Sequence, residues 1–148
     1  MEDCIFCKII NREIPADIIY ESDDIIAFAD AFPVAPIHYL VIPKKHINSM
    51  NEVQEEDAEV LGKIQIVIRD LAKKLGIADA GYRVITNCGE DGGQKVKHIH
   101  YHLLAGKQLG HKLVKIDWKL WGKKMYDVAI IGAGPAGLFA AYELIENN

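Results

Sequence analysis

Apolar and polar positions along the first third of the chain follow the short-period pattern of β-strands. Two isoleucine-rich runs are separated by a Ser22-Asp23 turn, and such runs are typical of paired strands. A loop is predicted at residues 31–36, because Pro33 and Pro36 each fix φ and remove a backbone donor. Pro43 then ends a third apolar run. The pattern predicts strands at residues 17–21, 24–29 and 38–42.

A different spacing, three and four residues apart, covers residues 51–75 and predicts one long helix. Asn51 is the predicted N-cap, and Gln54 sits where the second half of a capping box would lie. Gly76 is a natural C-terminal stop. The apolar face of this helix consists of Val60, Ile64, Val67, Ile68, Leu71 and Leu75.

Two further apolar runs predict strands at residues 82–87 and 98–104, the second ended by Gly106. The glycine-rich stretch between them, residues 89–93, is predicted to be a flexible loop. A short helix or turn begins at Cys4. Strands that follow one another around a single long helix predict an α+β fold with an antiparallel five-stranded sheet.

Composition narrows the class of protein. Half of the 148 residues are hydrophobic and 26% are charged, which predicts a packed globular core. The length suits one domain, or one domain with an appendage. The net charge of -4 argues against a protein that coats nucleic acid. The chain contains no apolar run of the ~20 residues that span a bilayer. Its acidic start lacks the basic region of a signal peptide, so we expect a cytoplasmic protein.

Three histidines alternate in the last predicted strand. On a strand, His98, His100 and His102 would share one open face, while Ile99, Tyr101 and Leu103 would be buried against the helix. Imidazole titrates near neutrality, so it can act as an acid or a base. A neutral imidazole can also attack phosphorus covalently. The alternatives are a metal site or a chance cluster.

The run His98-Ile-His-Tyr-His102-Leu-Leu resembles the signature of the histidine triad (HIT) family. Other blocks resemble its Hint branch in the same order, so the resemblance covers residues 3–110. These blocks are Phe6-Cys7-Lys8-Ile9-Ile10-Asn11-Arg12-Glu13-Ile14-Pro15, Ala35-Pro36-Ile37-His38, Val41-Ile42-Pro43-Lys44-Lys45-His46 and Gly92-Gly93-Gln94.

The resemblance implies a nucleotide hydrolase or transferase that acts on the α-phosphate of purine nucleoside phosphoramidates. His100 would be the nucleophile and form a covalent nucleotidyl intermediate, and His102 would contact the phosphate. The resemblance also implies a homodimer formed through the long helix and the fourth strand. The alternatives are a dinucleoside polyphosphate hydrolase and a non-catalytic nucleotide-binding protein.

The same resemblance implies a set of nucleotide-binding residues. Asp30 would bind the ribose hydroxyls, and Asn87 with the backbone amides around Gly93 and Gln94 would hold phosphate oxygens. Lys95 stands where the family commonly has a small or acidic residue, and Lys97 where it commonly has tyrosine. Lys95 lies beside the phosphate site and would add positive charge there or point to solvent. Apolar purine walls and the upstream histidine complete the set: Phe6, Ile9, Phe28 and His38.

The pair Cys4 and Cys7 is ambiguous from its spacing alone: a redox motif, half of a zinc site, or coincidence. Zinc requires four nitrogen or sulfur ligands, and His46 and His98 are candidates for the other two. The resemblance agrees, because several bacterial members of the family bind a structural zinc with such a set. A free thiol pair is the alternative. If His98 binds zinc, its role is structural rather than catalytic.

The C-terminal part of the chain has a different character. Residues 111–124 are rich in lysine and predict a linker after a domain at residues 1–110. Residues 125–148 resemble the start of FAD-dependent oxidoreductases, with Gly132-x-Gly134-x-x-Gly137 after an apolar strand. A complete site needs a second strand with an acidic residue about 20 positions further on. We therefore expect a truncated strand-helix segment without a functional FAD site.

Overall fold

The computed structural model describes residues 4–110. It confirms the predicted α+β fold, with five strands, one long helix and a short N-terminal helix. The elements in chain order are α1 (Ile5–Ile10), β1 (Ile18–Glu21), β2 (Ile25–Ala29), β3 (Ile37–Pro43), α2 (Ala58–Lys74), β4 (Arg83–Thr86) and β5 (Tyr101–Ala105).

The five strands form one antiparallel sheet in the order β1-β2-β3-β5-β4. β3 is the central strand, and its pairing with β5 places Leu40 opposite His102 and His38 opposite Leu104. The side chains of His38 and His102 therefore emerge on the same face of neighbouring strands. β1 and β4 are the two edge strands of the described sheet.

Each face of the sheet is covered by one apolar cluster. α2 packs on one face, where Ile64, Ile68 and Leu71 contact strand residues such as Tyr101 and Leu103. The predicted burial of Ile99, Tyr101 and Leu103 against the helix is confirmed. α1 covers the other face through a smaller cluster, whose buried members are Phe6, Ile9, Ile26, Phe28, Leu40 and Ile42.

The long helix begins at Ala58, later than the predicted residue 51, because a nonlocal ion pair shapes the entry. Residues Met50–Glu52 and Glu55–Asp57 form two short 3-10 turns instead. Gln54 is the first member of a capping box whose second member is Asp57. Lys45 lies 2.6 Å from the Asp57 carboxylate and lowers the pKa of that group. The predicted stop is confirmed, since Gly76 follows the helix with φ +70°.

The predicted start of the fifth strand is wrong, and two predictions for the C-terminal part of the chain are not tested by the structure. The fifth strand begins at Tyr101 rather than at residue 98, so two of the three histidines precede it. The predicted linker at 111–124 and the predicted strand-helix segment at 125–148 lie outside the described residues.

Within residues 4–110, no helix has the length and apolar character needed to cross a membrane.

Candidate active site and metal centre

The three histidines of the triad do not share an open face, so that prediction is wrong. His98 is fully buried and His100 is only 5% exposed. The reason is the backbone path before β5: the Ile99 N–H donates to the Ile47 carbonyl at 2.7 Å, outside the ladder of β5 with its neighbours. Without strand geometry, alternate residues need not point to the same side. The imidazoles diverge toward three different environments.

His98 belongs to a cluster with two thiols and a second histidine. Its Nδ1 lies 3.6 Å from the Cys4 Sγ and 3.7 Å from the Cys7 Sγ, and the His46 Nδ1 lies 3.2 Å from the Cys7 Sγ. All four candidate ligand atoms lie within 4.8 Å of one another. The structure therefore brings together all four metal ligands predicted from the sequence.

The outer nitrogens of both rings are fixed by oxygen acceptors. His98 Nε2–H donates to the Pro43 carbonyl at 2.8 Å, and His46 Nε2–H donates to Asn48 Oδ1 at 2.8 Å. Each Nδ1 is then the unprotonated nitrogen, aimed at the thiols, which is the arrangement of histidines that bind metals. Zn–S bonds of about 2.3 Å and Zn–N bonds of about 2.0–2.1 Å in a tetrahedron place sulfur and nitrogen about 3.6 Å apart. The observed separations fit that geometry, so the cluster could hold a metal ion.

Burial affects the thiols and the imidazoles of the cluster in opposite ways as metal ligands. Burial, together with the neighbouring Cys4 thiol, raises the pKa of Cys7 to about 11. Burial lowers the pKa of His98 to about 4. The protein alone therefore keeps this thiol protonated and this imidazole neutral. A divalent cation would reverse the first effect, because thiolate is the form that binds metal.

His100 faces away from the cluster and has a defined tautomer. Its Nδ1–H donates to the backbone carbonyl of His98 at 2.7 Å. Its Nε2 consequently carries the free lone pair. The ring packs edge-on against Phe6, with the centroids 5.3 Å apart, and lies 5.0 Å from the His102 ring. His100 thus has Nδ1 anchored on the backbone, and Nε2 is the nitrogen available for reaction when the ring is neutral.

His102 is held by His38 through a chain of hydrogen bonds. The Val34 N–H donates to His38 Nδ1 at 3.2 Å, so His38 carries its proton on Nε2. That Nε2–H donates to His102 Nδ1 at 2.9 Å, which leaves the His102 proton on Nε2. Burial lowers the pKa of both rings, that of His102 to about 4. His102 therefore presents an N–H donor at neutral pH.

Asp30 adjoins the same pair of histidines. One of its carboxylate oxygens accepts the Phe32 N–H at 2.7 Å, and the other lies 3.4 Å from His38 Nε2. A metal bound between these three groups would need ring nitrogens that converge on one point. The His38 and His102 nitrogens instead face each other, with a 2.9 Å separation and centroids 5.2 Å apart. This geometry is that of a hydrogen bond and not of a chelate.

The glycine loop is held by its own hydrogen bonds. The amides of Gly93 and Gln94 donate to the carbonyls of Glu90 and Gly89, both at 2.9 Å. Asn87 Nδ2 donates to the Gly92 carbonyl at 2.6 Å. The structure places the predicted phosphate-binding residues in one loop, and it shows those amides occupied within the loop. Among residues 4–110, no backbone carbonyl accepts the backbone N–H of Lys95.

The predicted purine walls lie side by side. Phe6, Ile9 and Phe28 are all buried in the cluster between α1 and the sheet, and the Phe6 and Phe28 rings are 5.6 Å apart. The side chains of Lys95 and Lys97 are exposed. Neither lysine forms an ion pair with the described part of the chain.

Sequence reasoning missed the groups that orient the histidines. The carbonyls of Pro43 and His98 and the amide of Val34 are backbone atoms, which no residue type reveals. Asn48 is the exception, since a side-chain acceptor two residues after a candidate ligand is a readable signal for an oriented imidazole. Its amide also donates to Glu52 Oε2 at 2.6 Å.

Comparison with known proteins agrees with the fold. A family model described as "Scavenger mRNA decapping enzyme C-term binding" matches residues 3–114. A purine nucleoside phosphoramidase of Escherichia coli (strain K12) is 48% identical over 112 residues, which are 76% of this chain and 94% of that protein.

Solved structures of histidine triad proteins are also similar to this chain. A HIT family hydrolase from Legionella pneumophila Philadelphia 1 has 47% identity and a TM-score of 0.72, over 73% of this chain and 96% of the other. A histidine triad protein from Clostridium difficile has 51% identity and a TM-score of 0.74, over 76% and 97%. These matches define a class of small α+β hydrolases. The chain belongs to the histidine triad (HIT) family and is an enzyme of the HIT hydrolase type.

Proposed function

We propose that this protein hydrolyses purine nucleoside phosphoramidates through a covalent nucleotidyl intermediate on His100. The observation that carries the proposal is the tautomer of His100. Its Nδ1–H is fixed on the His98 carbonyl at 2.7 Å, so the neutral ring carries its lone pair on Nε2, next to the ring of His102. A neutral nitrogen with a fixed direction is what attack on phosphorus requires. The purine phosphoramidase named among the relatives supports this substrate class.

In the first step, His100 Nε2 forms a bond to the α-phosphorus while the bond from phosphorus to the leaving amine breaks. His102 Nε2–H donates a hydrogen bond to the leaving atom or to a phosphate oxygen. In the second step, water attacks the phosphorus and releases the nucleoside monophosphate and free His100. The amine takes a proton from solvent as it leaves in the first step, and the attacking water returns one proton to solvent in the second, so the two steps balance.

The remaining site residues would bind the nucleotide. We assign the ribose hydroxyls to Asp30, whose two carboxylate oxygens are acceptors. We assign the purine to the apolar walls formed by Phe6, Ile9 and Phe28. The second proton of Asn87 Nδ2 and the backbone N–H of Lys95 would hold the phosphate beside the loop around Gly93 and Gln94, whose own amides already bind carbonyls of the loop.

A second substrate class has support from one observation. The Lys95 side chain is exposed and has no ion-pair partner among residues 4–110, and it adjoins the phosphate loop. A cation there would favour an anionic leaving group, as in a dinucleoside polyphosphate. A Lys95→Ser variant that loses more activity on a dinucleoside polyphosphate than on a phosphoramidate would favour this class.

We further propose that the Cys4, Cys7, His46 and His98 cluster binds a structural zinc ion. The distances between the donor atoms and the orientation of both imidazoles support zinc. All four positions of a tetrahedron would be filled by protein, which is typical of structural rather than catalytic zinc.

We also propose a homodimer. β4 is an edge strand with unpaired backbone groups on its outer side in the described sheet. Two large apolar side chains are exposed on or beside β4 and α2. Tyr82, directly before β4, is 38% exposed, and Ile66, on α2, is 50% exposed. A symmetric pairing of the two elements would cover both.

The test of the proposed function is the variant His100→Ala. Wild-type protein incubated with adenosine phosphoramidate should acquire the mass of one adenylyl group on a peptide that contains His100, detected by mass spectrometry after an alkaline quench. The variant should show no adduct, and its turnover should fall by roughly 10³-fold or more. Gln65→Ala on the exposed surface of α2 is the control and should behave as wild type. Full turnover by His100→Ala would overturn the covalent mechanism.

A further inference from the structure

The candidate metal centre and the candidate active site share residue His98. Its Nδ1 faces the two thiols, and its backbone carbonyl accepts the His100 Nδ1–H at 2.7 Å. Phe6, between Cys4 and Cys7 in the sequence, packs edge-on against both rings, with centroid distances of 5.9 Å to His98 and 5.3 Å to His100. A displacement of His98 or of α1 would therefore move the nucleophile.

A second connection runs from the metal centre to the glycine loop. His46 Nε2–H donates to the side chain of Asn48, and the backbone carbonyl of Asn48 accepts the Gln94 Nε2–H at 2.5 Å. Gln94 Oε1 accepts the Gly89 N–H at 3.0 Å. The segment that contains His46 is thus joined to the loop by the side chain of one residue.

Gln94 is a positioning residue in this arrangement. Its amide nitrogen makes two bonds, to the carbonyls of Asn48 and Val96, and its oxygen accepts the third bond, from Gly89. Both amide protons are therefore used, and the side chain has no donor left for a phosphate oxygen. Its effect on the substrate must pass through the position of the loop.

One side of the metal centre lies at the protein surface. Cys7 and His46 line a cavity of about 470 Å³, whose other lining residues include Lys8, Asn11 and Lys44. Both ligands are partly exposed. The metal centre therefore faces solvent on the side of these two ligands.

We propose that filling of the metal centre and binding of the nucleotide phosphate are thermodynamically coupled. The two connections, the His98 backbone and the Gln94 side chain, link the sites. Metal fixes the His46 and His98 segments in the positions that hold His100 and the glycine loop, so the loaded protein binds the phosphate group more tightly. This proposal rests on the proposed zinc site and nucleotide function. Coupling is reciprocal, so the nucleotide must tighten metal binding by the same factor.

The test measures adenosine monophosphate binding by calorimetry with zinc-loaded protein and with protein treated with a chelator, after circular dichroism shows that both are folded. Zinc affinity is measured with and without saturating adenosine monophosphate. We expect each ligand to tighten the other about 5-fold or more, by equal factors. Equal nucleotide affinities in the two forms would overturn the proposal.

The Gln94→Met variant separates coupling from a general effect of zinc on folding. It removes all three hydrogen bonds of the side chain at similar volume. We expect a smaller coupling factor, while Gln65→Met, the same exchange on the exposed surface of α2, leaves the factor unchanged. If the chelated protein unfolds, the test uses the zinc-loaded Gln94→Met variant. Adenosine monophosphate must then raise the zinc affinity of the variant less than it raises that of wild type. An equal rise would contradict the proposal.

Other outcomes identify which premise fails. A protein that binds adenosine monophosphate but no zinc refutes the zinc site and, with it, the coupling. A zinc-loaded protein without nucleotide affinity refutes the proposed function.

Discussion

The variant His38→Leu tests whether the orientation of His102 depends on its neighbour. In the structure His38 Nε2–H donates to His102 Nδ1 at 2.9 Å and thereby fixes the His102 proton on Nε2. Leucine removes that donor and leaves a buried nitrogen unpaired. The loss of such a partner costs about 1–3 kcal/mol. If the cost is expressed in the transition state, kcat should fall about 5- to 150-fold.

The assay is single-turnover hydrolysis of adenosine phosphoramidate, with adenosine monophosphate affinity measured in parallel. His38→Gln is the matched control, because its amide N–H can still donate to His102 and should recover part of the rate. The expected pattern is a lower kcat with little change in nucleotide affinity. A kcat within about twofold of wild type, or equal losses in the Leu and Gln variants, would refute the idea that His38 sets the His102 tautomer.

Three further predictions concern metal, pH and assembly. The purified protein should contain close to one zinc per chain by elemental analysis, and the Cys4→Ser/Cys7→Ser variant should lose both zinc and thermal stability; a metal-free protein of full stability would contradict this. The pKa of His102 is lowered from 6.5 to about 4, so the unfolded state binds more protons than the folded state between these pH values. Protonation of His102 should therefore lower the free energy of unfolding as pH falls from 6.5 to 4, by at most about 3 kcal/mol. Denaturant titrations that show no such fall would count against a neutral His102 in the folded protein. Sedimentation at micromolar concentration should give a dimer, and a monomer would exclude the proposed pairing through β4.

The sequence predicted the fold well where a periodic pattern records burial. Ile99, Tyr101 and Leu103 are all in the core beneath α2, although only the last two lie in β5. The buried face of α2 was predicted equally well, because apolar residues spaced 3.6 positions apart lie on one side of a helix. Helix entry was not readable, because Asn51 is a good N-cap and Gln54 fits the capping box that would begin there. The choice depends on Lys45, which reaches Asp57 across the fold.

The candidate site was also predicted only in part. The four possible metal ligands were identified by residue type and by family resemblance, and the structure brings them together. The exact faces of the histidines were predicted wrongly, because the backbone bond from Ile99 to Ile47 has no signature in side-chain chemistry. The tautomers of His38 and His100 depend on the backbone atoms of Val34 and His98. Such partners become visible only in three dimensions.

The wide sequence separation of the metal ligands has a consequence for folding. Cys4 and Cys7 are neighbours in the chain, whereas His98 is 94 positions from Cys4. During synthesis the thiols emerge early, and the last ligand emerges only after the residues of β1 to β4. An early ion could be held by two sulfurs alone, and the full ligand set closes a loop that spans most of the domain, a late and entropically costly event. Closure of the cluster would thus come only after four of the five strands have been synthesised, and a chain stalled before His98 would hold its ion by an incomplete set of ligands.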